Sequence, residues 1–154
     1  MKWYFVIPLG YVFSSYANAM TLEEQYKGLA DCRANGVYFD SKQLTFGPKA
    51  VYFKENKPIL YMEFEELKLA FFSLSRPDYF HGLKVRELYL PYKEGVSFGL
   101  SFYDDKTKVT LTLSKIFQLG KKGNQDHLPH VDVWSDGVAY ISCNLDSNDS
   151  GKHE

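Results

Sequence analysis

Apolar positions change from a helical period to an alternating one early in this chain of 154 residues. Thr21 and Glu24 have the spacing of a capping box, which satisfies the free backbone N–H groups at a helix start. From Leu22 onward, apolar residues recur at intervals of three and four. The pattern predicts a helix over residues 22–34, ended by Asn35-Gly36, because glycine accepts the left-handed conformation of a helix stop.

Short runs rich in β-branched and aromatic residues follow, which is typical of strands. Turn residues such as Gly47-Pro48 separate most of these runs. A final hairpin is expected to turn at Ser135-Asp136-Gly137, between strands over residues 131–134 and 138–143. The earlier predicted strands cover residues 37–39, 50–54, 59–64, 68–74, 83–90 and 96–103. Residues 65–72 could instead form one or two helical turns.

Residues 106–119 fit both the helical period and the alternation of a strand. Val109, Leu113 and Phe117 would share one face of a helix, whereas positions 107–113 also alternate as in a strand. Asp104-Asp105 before the run favours a helix start, so we favour a second helix there. The predicted fold class is α+β: an N-terminal helix followed by a mainly antiparallel sheet, closed by one disulfide.

The disulfide is predicted from the number of cysteines and the expected export of the chain. Cys32 and Cys143 are the two cysteines of the chain, and an exported chain usually oxidises such a pair. The bridge would close a loop spanning most of the domain and stabilise the fold by roughly 4 to 5 kcal/mol on the chain-entropy model. Two buried free thiols are the alternative.

The first nineteen residues have the pattern of a cleavable export signal. Lys2 precedes an apolar run over residues 3–13, and Ala17-Asn18-Ala19 is a small-x-small cleavage site. The apolar run is shorter than the roughly 20 residues of a membrane-spanning helix. We expect a signal peptide over residues 1–19, one domain over residues 20–145 and a flexible polar tail over residues 146–154. The mature chain would be periplasmic or secreted, without stable membrane insertion.

Charge and composition narrow the class of partner. The formal net charge is -1, without a long basic block, which argues against nucleic acid or an anionic membrane. Aromatic residues make up 17% of the chain. We favour a sheet-rich core, in which aromatic residues pack well. A recognition surface, where Tyr and Trp give large contact area, is the alternative.

One short motif suggests hydrolase chemistry. Gly95-Val96-Ser97-Phe98-Gly99 matches the G-x-S-x-G pattern of a nucleophile elbow, in which a helix directly follows the serine. A strand-like run follows Ser97 instead. We therefore expect no enzymatic activity, and labelling of Ser97 by a serine-reactive probe would test the opposite hypothesis.

A second segment suggests metal chemistry. Asp126, His127, His130 and Asp132 are all residue types that bind zinc or copper. Pro129 prevents the two histidines from sharing a helix face, and a full site needs a further ligand from elsewhere in the fold. His127 and His130 are the candidate metal ligands, and a solvated loop without metal is the alternative; no cofactor is predicted.

Glu63, Glu65 and Glu66 form an acidic cluster. They interleave with Phe64 and Leu67, which is typical of a solvent-facing edge rather than of an acid–base pair. Together these patterns predict a small exported, non-enzymatic binding protein that acts through protein–protein contact, such as an inhibitor or an immunity-type protein. The alternative is a small-ligand or metal carrier that uses the loop over residues 126–132.

Overall fold

An antiparallel sheet with helices on one face forms the fold, and it confirms the predicted α+β class. The computed structural model describes residues 19–93, 95–121 and 127–143. The predicted tail, Asp126 and all but the last residue of the predicted signal lie outside these ranges, so the structure does not test them.

The main sheet has seven strands. They are β3 (Ile59–Phe64), β4 (Leu69–Ser73), β5 (Tyr79–Phe80), β6 (Leu83–Pro91), β7 (Phe98–Phe102), β8 (His130–Val133) and β9 (Ala139–Cys143). Their order is β3-β4-β6-β7-β9-β8, with β5 paired to β6, and every pair is antiparallel. Strands β1 (Phe39–Asp40) and β2 (Thr45–Phe46) form a separate two-stranded ribbon.

The N-terminal helical segment begins where the sequence predicts but is broken. The capping box at Thr21 and Glu24 is present and starts helix α1 (Leu22–Gln25). A 3₁₀ helix (Lys27–Asp31) follows and ends at Cys32, whose backbone is left-handed with φ of 52°. The prediction of one continuous helix over residues 22–34 was therefore wrong: the α-helix ends with its C-cap at Tyr26, and the 3₁₀ helix that follows ends at the left-handed Cys32.

Residues 50–54, predicted as a strand, form helix α2 (Val51–Asn56) instead. The reason lies outside the segment. The amide of Gln25 accepts a hydrogen bond from the Tyr52 backbone N–H (2.8 Å) and donates one to the Lys49 carbonyl (3.1 Å). Gln25 thereby satisfies the start of α2 from another helix, which a local pattern does not reveal.

Helix α3 (Lys106–Leu113) settles the ambiguous run over residues 106–119 in favour of a helix, although a shorter one. The Asp105 carboxylate accepts a hydrogen bond from the Lys108 backbone N–H at 3.0 Å and caps the helix. Val109 and Leu113 are buried, so the helical period, and not the alternating one, describes this segment.

The larger core lies between the helices and one face of the sheet. Phe72, Leu88, Leu100 and Ile141 come from the strands and pack with residues of all three α-helices and of the 3₁₀ helix. The predicted disulfide is confirmed: Cys32 and Cys143 are bonded across 111 positions and join the 3₁₀ helix to β9. None of the helices in the described ranges is long and apolar enough to span a bilayer.

Candidate interaction surface

The second face of the sheet carries its own aromatic cluster. Because side chains alternate along a strand, the neighbours of the core residues point to the opposite face. The cluster contains no helix residue among those described. We call it the aromatic face, and its side chains are Tyr61, Phe64, Phe71, Tyr89, Trp134 and Tyr140.

Tyr89 lies at the centre of this face. Its ring lies across Gly99 on the neighbouring strand, where a Cβ atom would come within 2.8 Å of the ring and 2.7 Å of the hydroxyl oxygen. The hydroxyl donates a hydrogen bond to the Ile141 carbonyl at 2.8 Å. Phe71 stacks on Tyr89 with ring centroids 5.2 Å apart, so the ring is fixed on both sides.

Trp134 extends the cluster from the turn between β8 and β9. Its indole stacks on Tyr140 with centroids 4.1 Å apart and an interplanar angle of 23°. The turn is the predicted one: Gly137 has φ of 82°, and Trp134 and Val138 are joined by a backbone hydrogen bond of 2.9 Å. The hairpin thus holds a large aromatic side chain, itself partly exposed, over the open face of the sheet.

The exposed part of the surface lies toward β3, the edge strand. Tyr89 and Tyr140 are buried, whereas Tyr61 is 46% exposed. Beside it on the same strand, Ile59 is 58% and Met62 37% exposed. An edge strand with three exposed apolar side chains is unusual, because natural proteins generally protect such edges.

A carboxylate lies among these rings. Glu87 accepts a hydrogen bond from the Ser101 hydroxyl at 2.9 Å. Burial, followed by the interaction with the Glu87 carboxylate, raises the pKa of Tyr61 well above its usual value. Arg86 approaches Glu87 at 3.7 Å and Asp136 at 3.9 Å. The aromatic face therefore presents polar groups of both signs beside an apolar surface, as protein-binding surfaces commonly do.

A second polar group lies at the β8 edge. His130 Nε2 is 3.4 Å from the Ser142 hydroxyl, and Lys106 donates to the Asp132 carboxylate at 3.0 Å. Burial, and then the charge of Asp132, raises the pKa of Tyr140 to about 12. Serine, histidine and aspartate occur together here, and Ser142 is fully buried.

The candidate metal ligands lie in different environments. His127 is exposed in the loop before β8, whereas His130 is 7% exposed and packs edge-on against Tyr140. In the part of the chain that the structure describes, no three His, Cys, Asp or Glu side chains lie close enough together to hold a metal ion. A metal at His127 and His130 stays a prediction.

The G-x-S-x-G residues have structural roles. Ser97 is followed by β7 and not by a helix, so the nucleophile elbow is not formed. Gly99 lies under Tyr89, and a Cβ atom at Gly95 would lie 2.7 Å from the Lys68 carbonyl oxygen. Close packing explains both glycines.

The acidic cluster lies at the hairpin end of β3. Glu63 accepts a hydrogen bond from the Tyr92 hydroxyl at 3.1 Å, and burial followed by this bond raises the pKa of Tyr92 to about 12. Glu65 and Glu66 are exposed in the turn. Their position at the solvent-facing edge agrees with the sequence interpretation.

A cleft of about 710 Å³ lies on the helical side of the molecule. Its charged lining includes Lys27, Arg33 and Lys49 together with Glu24 and Asp31. Because both signs of charge line the cleft, it does not select one class of ligand.

Sequence reasoning missed the aromatic face as a site. Tyr61, Glu87 and Trp134 lie on three separate segments, and only the strand pairing brings them to one face. The available signal was the aromatic content, which left the core and recognition interpretations open.

No family model, curated protein or solved structure matches this chain.

Proposed function

We propose that this chain is a small exported protein, periplasmic or secreted, that acts by binding another protein and not as an enzyme. An inhibitor or an immunity-type protein is the form of partner binding that fits best. The observation that carries the proposal is the aromatic face, where Tyr61 and Trp134 are accessible beside the ordered, buried rings of Tyr89 and Tyr140.

Physical chemistry supports this use of the surface. Tyrosine and tryptophan dominate binding hot spots because they provide large contact area with few rotatable bonds. Tyr61 packs edge-on against Phe71, and Trp134 stacks on Tyr140. Both side chains lose little further conformational entropy when a partner covers them.

Export is supported independently by the disulfide, since such bonds persist in oxidising compartments. The backbone N–H of Met20 donates to the Glu55 carboxylate at 3.0 Å. Cleavage after Ala19 would convert this N–H group into a positively charged amine next to Glu55. The mature amino terminus would therefore gain a charge-assisted hydrogen bond.

The test is capture of partners from the native envelope fraction with the tagged chain starting at Met20. Three versions are compared: the unchanged chain, Tyr61→Ala and Tyr103→Ala. Tyr103 is the matched control, because it is also an exposed tyrosine (65%) but lies beyond β7, where Lys84 covers its ring.

The proposal predicts one stoichiometric protein that the unchanged chain and Tyr103→Ala retain and that Tyr61→Ala loses. Metal content is assayed in the same samples. Bound zinc or copper without a protein partner, lost when His127 and His130 are both changed to Ala, would contradict the proposal and favour a carrier.

A further inference from the structure

The β3 edge offers a second interaction surface, distinct in its chemistry from the aromatic face. Strand β4 pairs with one side of β3. No backbone hydrogen bond from any other described segment reaches the other side. The outward N–H and C=O groups of an edge strand form a template for a further strand.

The usual protection of an edge is weak here. Natural proteins place lysine, proline or inward-pointing charges on exposed edge strands, but β3 begins with Ile-Leu-Tyr-Met. Ile59 and Met62 are exposed. A bulge between Leu60 and Met62 bends the strand without adding a charge to it.

The charges at the two ends of β3 have opposite signs. Lys57 is exposed and separated from the strand by Pro58, and Glu65 and Glu66 are exposed directly after the strand. In an antiparallel pair the start of one strand faces the end of the other. Two copies of β3 related by a two-fold axis near Tyr61 and Met62 therefore bring Lys57 of each copy toward Glu65 and Glu66 of the other.

We propose that two copies of this chain associate through their β3 edges and form one continuous antiparallel sheet. The same two-fold relation places Ile59 of one copy near Phe64 of the other, and Leu60 near the exposed Glu63. A two-fold axis perpendicular to the sheet preserves its faces. The two aromatic faces then lie on the same side of the dimer.

A strand of another protein would need an acidic group opposite Lys57 and a basic group opposite Glu65 and Glu66. A second antiparallel copy of β3 has this arrangement by symmetry. This self-complementarity is the property of an isologous two-fold interface. A six-residue ladder is small for a specific interface. We therefore expect a dissociation constant on the order of 10 µM, well above the nanomolar range of large permanent interfaces.

Sedimentation velocity of the processed, disulfide-bonded chain tests the proposal over concentrations on both sides of that value. Met62→Lys places two like charges near the axis and is expected to weaken self-association by at least about tenfold. Val133→Lys is the matched control: Val133 is also 37% exposed but lies on β8, the opposite edge strand. It should leave self-association unchanged.

Charge reversal tests the orientation. Lys57→Glu should weaken the dimer, because it places like charges opposite each other. Adding Glu66→Lys should restore the dimer, because residues 57 and 66 then again carry opposite charges.

A chain that stays monomeric at all concentrations would overturn the proposal, as would a dimer that Val133→Lys disrupts and Met62→Lys does not. Protection of β3 from hydrogen exchange only when a captured partner is present would also overturn self-pairing, in favour of a strand from the partner. Because Tyr61 lies near the proposed axis, partner capture is also scored with Trp134→Ala, whose side chain extends from the turn between β8 and β9, so either proposal can fail alone.

Discussion

Tyr89 and Gly99 show how single residues determine the open face of the sheet. A methyl group at position 99 would lie 2.1 Å from the Ile141 carbonyl oxygen and 2.7 Å from the Tyr89 hydroxyl. Gly99→Ala should therefore lower the free energy of unfolding by about 3 kcal/mol, since a backbone carbonyl cannot move aside freely. Urea unfolding measures the change.

The control for this prediction is Gly137→Ala. Gly137 has φ of 82° and open space around it, so alanine there meets backbone strain of about 1 kcal/mol without a clash. Equal destabilisation by the two substitutions would contradict the proposed packing of Tyr89 over Gly99.

The tyrosines of the aromatic face predict a loss of stability in alkali. Burial, followed by the charge of Asp132, raises the pKa of Tyr140 to about 12 from 10.0. Because the folded pKa is raised, the stabilisation is fully present below pH of about 10 and is lost as the pH rises toward 12. Spectroscopic titration should show that phenolate forms at a higher pH in the folded chain than in urea. Tyr140→Phe should reduce this difference in pH. An unchanged titration in Tyr140→Phe would contradict this assignment.

At the scale of single residues, the sequence could predict a residue's role where few partners were possible. Cys32 and Cys143 could be paired because the chain has no other cysteine. The role of Gly99 could not be predicted, because the same residue fits a nucleophile elbow and a close approach between strands. The close approach depends on Tyr89 of the neighbouring strand, which only the strand pairing brings over Gly99.

Helix α2 shows where the prediction of helices and strands from local sequence fails. Strands β3, β4 and β6 were predicted to within about a residue at most ends, because their apolar runs are bounded by turns or proline. The segment over residues 50–54 has strand-forming residues, yet it is helical because Gln25 binds its first turn. Strand composition is a weak signal compared with a buried hydrogen bond from another element.

Gln25 therefore supplies a prediction for α2. Gln25→Met keeps the length of the side chain but removes both hydrogen bonds, leaving the buried Tyr52 N–H without its acceptor. The expected loss in the free energy of unfolding is about 2 kcal/mol. Gln25→Glu keeps the acceptor for Tyr52 but places a carboxylate oxygen against the Lys49 carbonyl, so it should not restore full stability. The interpretation fails if Gln25→Met is as stable as the unchanged chain in urea unfolding.

The disulfide acts on the whole molecule. It links the 3₁₀ helix to β9 across 111 positions, so it restricts the unfolded chain strongly. Replacing both Cys32 and Cys143 by Ser should lower the free energy of unfolding by roughly 4 to 5 kcal/mol. The comparison is urea unfolding of the oxidised chain, the reduced chain and the double variant. No difference between the oxidised and reduced chains would contradict this estimate.

The distribution of aromatic residues decides how the whole molecule is understood. Composition alone left a core and a recognition surface as alternatives, and the structure has aromatic side chains both in the core and on the opposite face of the sheet. Phe53, Phe72 and Phe80 belong to the core beneath the helices, whereas Tyr61 and Trp134 lie on the opposite face. Alternation along paired strands separates the two sets, and it requires the register, which no local pattern provides.

The most direct test of the central proposal is the affinity of the captured partner for the purified chain and its two tyrosine variants. Calorimetric titration should show binding weakened at least about tenfold by Tyr61→Ala and unchanged by Tyr103→Ala. Equal affinity for all three chains, or a loss confined to Tyr103→Ala, would contradict the assignment of the aromatic face as the binding surface.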